Sequence, residues 1–308
     1  MDSRRLTTVA ALAAVELVIL GLIFASFGSL GFHHTSRAEA AGGSGSHGPF
    51  DVHTTIATSL TPRVRIDDDD AHLFIKTASV PSVRVDEVTT TSGHVWGITQ
   101  LRVERMSDGS VFIGRSEVYH GRMHREITVT VPAATTLEVT HADSVTLAGL
   151  RGSATITGSN DDPIDVSDHT GSLDVKNGDG RVTLSHVRGD RVAINNSDGN
   201  VDLNDVNAVL LQVRTGDGHI SANGVVTGGG SIQSGDGRVS LTFDPGTNVT
   251  VGVKSDASVT AVPPLAVQSI ADDKGNTGEH QVRIGSGAGR LDVQTGDGSV
   301  TIAVAGGA

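Results

Sequence analysis

The sequence has no cysteine, which excludes disulfides, a thiolate nucleophile and a cysteine-ligated metal site. Aromatic residues are only 3% of the 308, and Trp96 and Tyr119 are the single residues of their kinds. A compact globule of this length buries several large rings, so their scarcity points to a narrow core filled by Val, Leu and Ile. Positive charge is also short: 23 Lys and Arg face 35 Asp and Glu, for a net charge of −12. Over residues 137–308 there are 21 acidic and 11 basic residues. Such a chain is a poor nucleic-acid binder, because phosphate contacts need Lys and Arg. The same charge favours solubility and attracts cations. The G-x-S-x-G, H-E-x-x-H and phosphate-loop motifs are missing as well.

Glycine, by contrast, is plentiful at 39 residues, and much of it sits in one recurring unit. Lys176-Asn177-Gly178-Asp179-Gly180-Arg181-Val182-Thr183-Leu184 returns as Ser197-Asp198-Gly199-Asn200-Val201-Asp202-Leu203 and as Gly216-Asp217-Gly218-His219-Ile220. It returns again as Gly235-Asp236-Gly237-Arg238-Val239-Ser240-Leu241 and as Gly296-Asp297-Gly298-Ser299-Val300-Thr301-Ile302. Asp179, Asp198, Asp217 and Asp236 are each 19 residues apart; Asp143 and Asp161 extend the row backwards at 18, and Asp256 forwards at 20. A fixed period of this kind is the mark of a solenoid, whose neighbouring coils bury one continuous core.

The fold expected is all-β: a single-stranded β-helix, or β-solenoid, with coils of about 18–19 residues. Each coil holds two short strands, as in Leu173-Asp174-Val175 with Val182-Thr183-Leu184, and Val192-Ala193-Ile194 with Val201-Asp202-Leu203. Side chains two apart share a face, so these aliphatics point inward and Asp174, Thr183, Ala193 and Asp202 outward. Gly180, Gly199, Gly218, Gly237 and Gly298 are expected at the corners, with φ > 0. Coils rising about 4.8 Å each make eight or so coils a rod on the order of 40 Å. Residues 137–308 form the regular part, and 51–136 irregular first coils and a cap. In that cap Ser107-Asp108-Gly109 and the Asp67–Asp70 run take the place of turn units, and Ile127–Pro132 is a clean strand. After Asp256 the period lapses for 41 residues, and Val262-Pro263-Pro264 and Asp272–Asn276 suggest a protruding hairpin or loop.

At the amino end, Arg4 and Arg5 precede a 27-residue apolar stretch from Leu6 to Phe32 that is broken only by Glu16. It is long enough for one transmembrane helix, with the amino end cytoplasmic and all that follows outside. Ala38-Glu39-Ala40 offers the rival reading of a signal peptide cut after Ala40. Residues 1–32 are thus an anchor or signal, and the Gly/Ser-rich residues 33–50 a flexible linker. Both readings export residues 51–308.

The Gly-Asp-Gly-x-Val-x-Leu units, the Val129–Pro132 strand and the single membrane segment together resemble the bacterial β-strand-repeat family named putative adhesin. The resemblance covers residues 51–304. It implies a β-solenoid, a cell-envelope location and no established enzymatic activity, and it carries over no catalytic residues.

Read for chemistry, the residues offer little. Asp165, Asp174 and Asp202 on outward strands are the carboxylates a glycosidase reading would use, and coils this short leave little room for cleft walls. The ladder Asp179, Asp198, Asp217 and Asp236 is a weak calcium candidate beside a plainer reading, in which each carboxylate accepts a backbone N–H two residues on. His120 and His124, and the scattered His141, His169, His186 and His219, read as surface histidines. Arg188-Gly189-Asp190 reads as a plain turn. No catalytic residue and no cofactor are expected. The leading expectation is a membrane-tethered, extracytoplasmic binding or adhesin-like module, with an envelope protein or glycan as partner and no nucleic acid. A regulatory or sensory accessory of a membrane stress system is the alternative, which a neighbouring regulator gene would favour. A carbohydrate-active enzyme comes third.

Overall fold

The computed structural model describes residues 50–69, 71–91, 101–115, 123–159, 161–270 and 279–306. All of them fall in the unit His47–Ala308. The expected membrane segment, the linker up to residue 49, the Ala40 cleavage point and His120 lie outside the described residues. Among the described residues no helix is long and apolar enough to cross a membrane.

The chain runs through β1 (Phe50–Ala57), β2 (Arg63–Asp67), β3 (Ala71–Ala78), β4 (Ser82–Thr91), β5 (Arg102–Arg105), β6 (Val111–Gly114) and β7 (Met123–Pro132). The middle holds β8 (Thr136–Ala142), β9 (Ser144–Ala148), β10 (Ala154–Gly158), β11 (Ile164–Ser167), β12 (Leu173–Asn177), β13 (Val182–Asn196) and β14 (Val201–Arg214). Then come β15 (Ile220–Thr227), β16 (Gly229–Gln233), β17 (Val239–Phe243), β18 (Val249–Lys254) and β19 (Val259–Ala261). β20 (Val267–Ile270), β21 (Glu279–Ile284), β22 (Gly289–Gln294) and β23 (Val300–Val304) end it.

These strands stack as a solenoid with two parallel ladders. Ladder I takes β6, β2, β8, β10, β12, the second half of β13, the second half of β14, β16, β22 and β18, in that spatial order. Ladder II takes β7, β3, β9, β11, the first halves of β13 and β14, then β15, β17, β23 and β19. The long strands β13 and β14 turn a corner at His186 and Asp205 and so serve both ladders.

Stacking in chain order, as the period predicts, holds only in the middle. At the carboxyl end, β22 and β23 slot between β16/β17 and β18/β19. Gly296 therefore sits on Gly235, and Asp256 sits on Gly296 rather than on Asp236. The amino end mirrors this: β2 and β3 lie between β6/β7 and β8/β9. Three of the four outermost strands, all but β19, are then closed by antiparallel partners. β21 and β20 cover β18, β5 covers β6, and β4 with β1 covers β7. An open parallel edge would template pairing with another chain, and these hairpins remove it at β6, β7 and β18. The lapse after Asp256 is this covering hairpin; its residues 271–278 lie outside the described part. Ser107-Asp108-Gly109 is likewise the hairpin turn between β5 and β6 and not a coil corner.

The core follows the alternation. Leu173, Val175, Val182, Leu184, Val192, Ile194, Val201 and Leu203 are all at most 3% exposed. Phe243 is the single aromatic among the largest fully buried side chains. Ala193 keeps its outward place in the row but is sunk between Asp174 and Gln212. At the amino-terminal cap the interior holds charge: Arg115 pairs with Asp68 at 3.1 Å and with Glu87, while Arg125 faces Asp68 at 3.5 Å. Two carboxylates and two guanidinium groups compensate one another there, as burial requires.

The corners differ from expectation. Gly180, Gly199, Gly218, Gly237 and Gly298 do not have φ > 0. They are glycines because coils touch there: a Cβ on Gly218 would fall 2.6 Å from the carbonyl carbon of Gly199. The left-handed corner is the opposite one, a column made by Gly149, Asp168, His186, Asp205 and Gly224. Asp and His tolerate this conformation better than most residues. It also shifts the alternation, so the following residue turns inward: Leu150, His169, Val187, Val206 and Val225 are each at most 2% exposed.

His169 is therefore a core residue, contrary to its reading as a surface histidine. Burial pushes its pKa below the ordinary 6.5; the Ser172 and Gly171 backbone groups oppose the shift in part. Neither ring nitrogen has a partner within hydrogen-bond geometry. A depressed folded-state value means stability is kept above pH 6.5 and lost as pH falls below it. His169→Leu, matching Leu150 in the same column, is expected to raise stability by about 1–3 kcal/mol, the cost of a buried unpaired polar group. It should also flatten the loss below that pH, which thermal melts from neutral to mildly acid buffer would show.

A candidate binding face

The Gly-Asp-Gly corner joins each ladder I strand to the next ladder II strand, and it is locked from inside. The residue before each unit reaches back to the previous coil's corner. Asn196 Nδ2 donates to the Gly180 carbonyl at 3.0 Å, Thr215 Oγ1 to Gly199 at 2.9 Å, Ser234 Oγ to Gly218 at 2.9 Å and Thr295 Oγ1 to Gly237 at 3.1 Å. Asn177 does the same to Asp162, and Ser255 to Gly298. The sequence reading missed this column. Its signal is there, since an Asn, Thr or Ser precedes every unit.

The ladder carboxylates serve the same stacking. Asp198 Oδ1 accepts the Asp217 amide at 3.3 Å, and Asp236 Oδ1 the Asp297 amide at 3.4 Å. These bonds run between coils, not to the residue two positions on. That local bond occurs at Asp108, whose Oδ1 accepts the Ser110 amide at 3.0 Å. Asp179, Asp198, Asp217 and Asp236 are exposed and do not converge as a donor group. Among the described residues, Asp67, Asp69 and His141 are the donors near enough to share an ion. His141 Nδ1 lies 3.0 Å from Asp67 Oδ1, a contact that raises the His141 pKa.

The three outward carboxylates are not gathered. Asp165 and Asp202 stand on ladder II with Thr183 between them, whereas Asp174 stands on ladder I. Arg188-Gly189-Asp190 is a stretch of β13 and not a turn; Arg188 pairs with Asp205 at 3.1 Å. His124, His186 and His219 are exposed.

Rigid stacking turns equivalent positions into rows. On ladder I one row reads Lys176, Asn195, Arg214, Gln233, Gln294 and Lys254, each on a successive coil. All six are exposed. The row beside it reads Asp174, Ala193, Gln212, Ser231, Asp292 and Gly252. Two open depressions flank the Arg214–Gln233 pair. One of about 290 Å³ extends towards Asp174, Lys176 and Arg191. The other, about 520 Å³, extends towards Asp236, Lys254 and Gln294. Among the described residues Lys176, Arg214 and Lys254 make no ion pair, as is also true of Lys76, Arg151, Arg191, Arg238 and Arg283, while Arg63, Arg84, Arg102, Arg181 and Arg290 each do. Ladder II carries a different row, of hydroxyls and carboxylates: Asp165, Thr183, Asp202, Ser221, Ser240 and Thr301.

A family model, Toastrack DUF4097, matches residues 62–306. The chain belongs to the Toastrack DUF4097 family. This agrees with the adhesin-like β-strand repeats that its motif resembles. No curated protein matches the Toastrack chain. Among solved structures, it is similar to a putative adhesin from Parabacteroides merdae ATCC 43184, at 13% identity and a TM-score of 0.46, over 84% of this chain and 97% of that one. A putative adhesin from Parabacteroides distasonis ATCC 8503 matches at 12% identity and a TM-score of 0.46, over 83% and 98%. A putative lipid binding protein from the same organism matches at 12% identity and a TM-score of 0.41, over 84% and 98%.

Proposed function

We propose that this Toastrack chain is an extracytoplasmic, adhesin-like binding module of the cell envelope, tethered to the membrane by residues 6–32. The observation that carries the reading is the ladder I row. Three unpaired cations and three amides stand on one rigid face of a chain whose net charge is −12. Surface cations left without partners in an acidic protein are the groups a ligand can pair. The apolar stretch behind Arg4 and Arg5, and the Gly/Ser linker after it, support the tether.

Protease added to intact cells or spheroplasts should reach residues 41–308, and the full chain in detergent should bind isolated cell envelopes saturably. Protection of the repeats inside the cytoplasm, or no saturable envelope binding, would count against the proposal.

A further inference from the structure

We infer that the Lys176-to-Lys254 row holds a linear, sparsely charged acidic polysaccharide, with a carboxylate on alternate sugars. The inference rests on the binding-module reading above and gives it a ligand class.

Spacing is the first argument. Neighbouring coils lie about 4.8 Å apart, so Lys176 and Arg214, two coils apart, are separated by about 10 Å along the stack, and Arg214 and Lys254, three coils apart, by about 14 Å. A polymer lying along this row meets a cation only at intervals of two or three coils. An alternating acidic polysaccharide carries one carboxylate per disaccharide, a unit of similar length to two coils. Each strand of a nucleic-acid duplex carries a phosphate about every 3.4 Å of axis, which this row cannot match.

The groups between the cations are the second argument. Asn195, Gln233 and Gln294 each offer two N–H donors and a carbonyl acceptor. Sugar hydroxyls and acetamido groups are both donors and acceptors, so they pair with amides in either sense. No aromatic side chain stands in the row, so recognition there is by charge and hydrogen bonding and not by ring stacking.

The flanking row is the third. Asp174 stands two residues from Lys176, Asp292 stands two residues from Gln294 and pairs with Arg290 at 2.8 Å, and the small Ala193 and Ser231 between them leave room for a chain to lie down. The Asp174 carboxylate, beside Lys176, repels a polymer charged on every unit. A flat anionic membrane is met by a broad basic patch rather than by a single file of three cations.

The test measures affinity of the full chain in detergent for hyaluronan, for polygalacturonate, which is charged on every sugar, and for uncharged dextran of matched length. Hyaluronan should bind most tightly and dextran not at all, and hyaluronan binding should weaken as salt is raised. Lys176→Gln with Arg214→Gln and Lys254→Gln should weaken hyaluronan binding about tenfold or more, from three lost charge contacts. Arg84→Gln with Arg181→Gln and Arg238→Gln changes net charge equally, away from the row, and should alter affinity less than about twofold. All six positions are exposed, so an unchanged melting temperature confirms that both triple variants fold. Equal losses in both variants, tighter binding of polygalacturonate, or binding of dextran would overturn the inference. Saturable envelope binding without hyaluronan binding would overturn the ligand class and leave the binding module standing. Loss of both would remove the two together.

Discussion

Deleting residues 286–308 is expected to unfold the chain from Val249 onwards, not merely the coil removed. In a solenoid stacked in chain order, trimming the last coil exposes the one before it and leaves the rest intact. Here the last coil in sequence is interior in space. β22 and β23 contribute Leu291, Val293, Val300 and Ile302, each at most 1% exposed, between Ile232, Val239 and Leu241 on one side and Val249, Val251 and Val253 on the other. At about 2 kcal/mol for each buried aliphatic, the four side chains contribute up to about 8 kcal/mol, which is comparable to the net stability of a whole domain. Without them β18 and β19 lose their parallel neighbours, and β20 and β21 are left pairing with a strand that packs on nothing. Amide exchange over Val249–Ile284 should rise to that of unfolded chain while β8–β15 stay protected. Retained protection of Val249–Lys254 would contradict the interleaved order.

The second large effect is at the coil-to-coil contact. Gly218→Val places a Cβ 2.6 Å from the Gly199 carbonyl carbon, and the obstacle is backbone that cannot rotate away. The two coils must part at the corner, where Thr215 and Ser234 hold their inter-coil bonds. The expected cost is about 3 kcal/mol, at the upper end for overpacking, or about 6–12 °C in melting temperature for a domain this size. Gly224→Asp should behave oppositely although Gly224 has φ +65. Its Cβ would meet nothing nearer than 3.6 Å, and Asp168 and Asp205 already hold this conformation in the same column. A change under about 1 kcal/mol is expected, since Asp tolerates the left-handed region and also restricts the unfolded chain. Equal melting temperatures for the two variants would refute this account of the corners.

What could be read from the sequence, and what could not, follows from which forces are local. Strand faces from Leu137 to Phe243 were legible because alternation depends only on the pleat, and the buried pairs such as Val182 and Leu184 obey it. The corner glycines were legible in place but not in cause: φ > 0 is a local demand, whereas a Gly199 carbonyl lying over Gly218 comes from the neighbouring coil. His169 was misplaced for a related reason. A left-handed Asp168 shifts the alternation by one, and only the parallel pairs His186-Val187 and Asp205-Val206 betray it. The order of coils was least legible. Gly296-Asp297-Gly298 resembles every other unit, and nothing in its spelling says that it seats against Gly235 ahead of Ser255-Asp256. Four members of the candidate row, Lys176, Asn195, Arg214 and Gln233, share the 19-residue period; Gln294 and Lys254 join it only through that order.

The absence of cysteine makes the central claim, one continuous row built by an interleaved stack, directly measurable by introduced pairs. In-register neighbours on parallel strands lie about 4.8 Å apart, within the Cα separation a disulfide accepts, whereas positions two coils apart lie at about 10 Å, beyond it. Gln233→Cys with Gln294→Cys, and Gln294→Cys with Lys254→Cys, should therefore oxidise readily to intrachain disulfides, and Gln233→Cys with Lys254→Cys should stay reduced. A disulfide between positions 233 and 254, with none from either to 294, would mean that the coils stack in chain order and that the row ending at Lys254 does not exist as described.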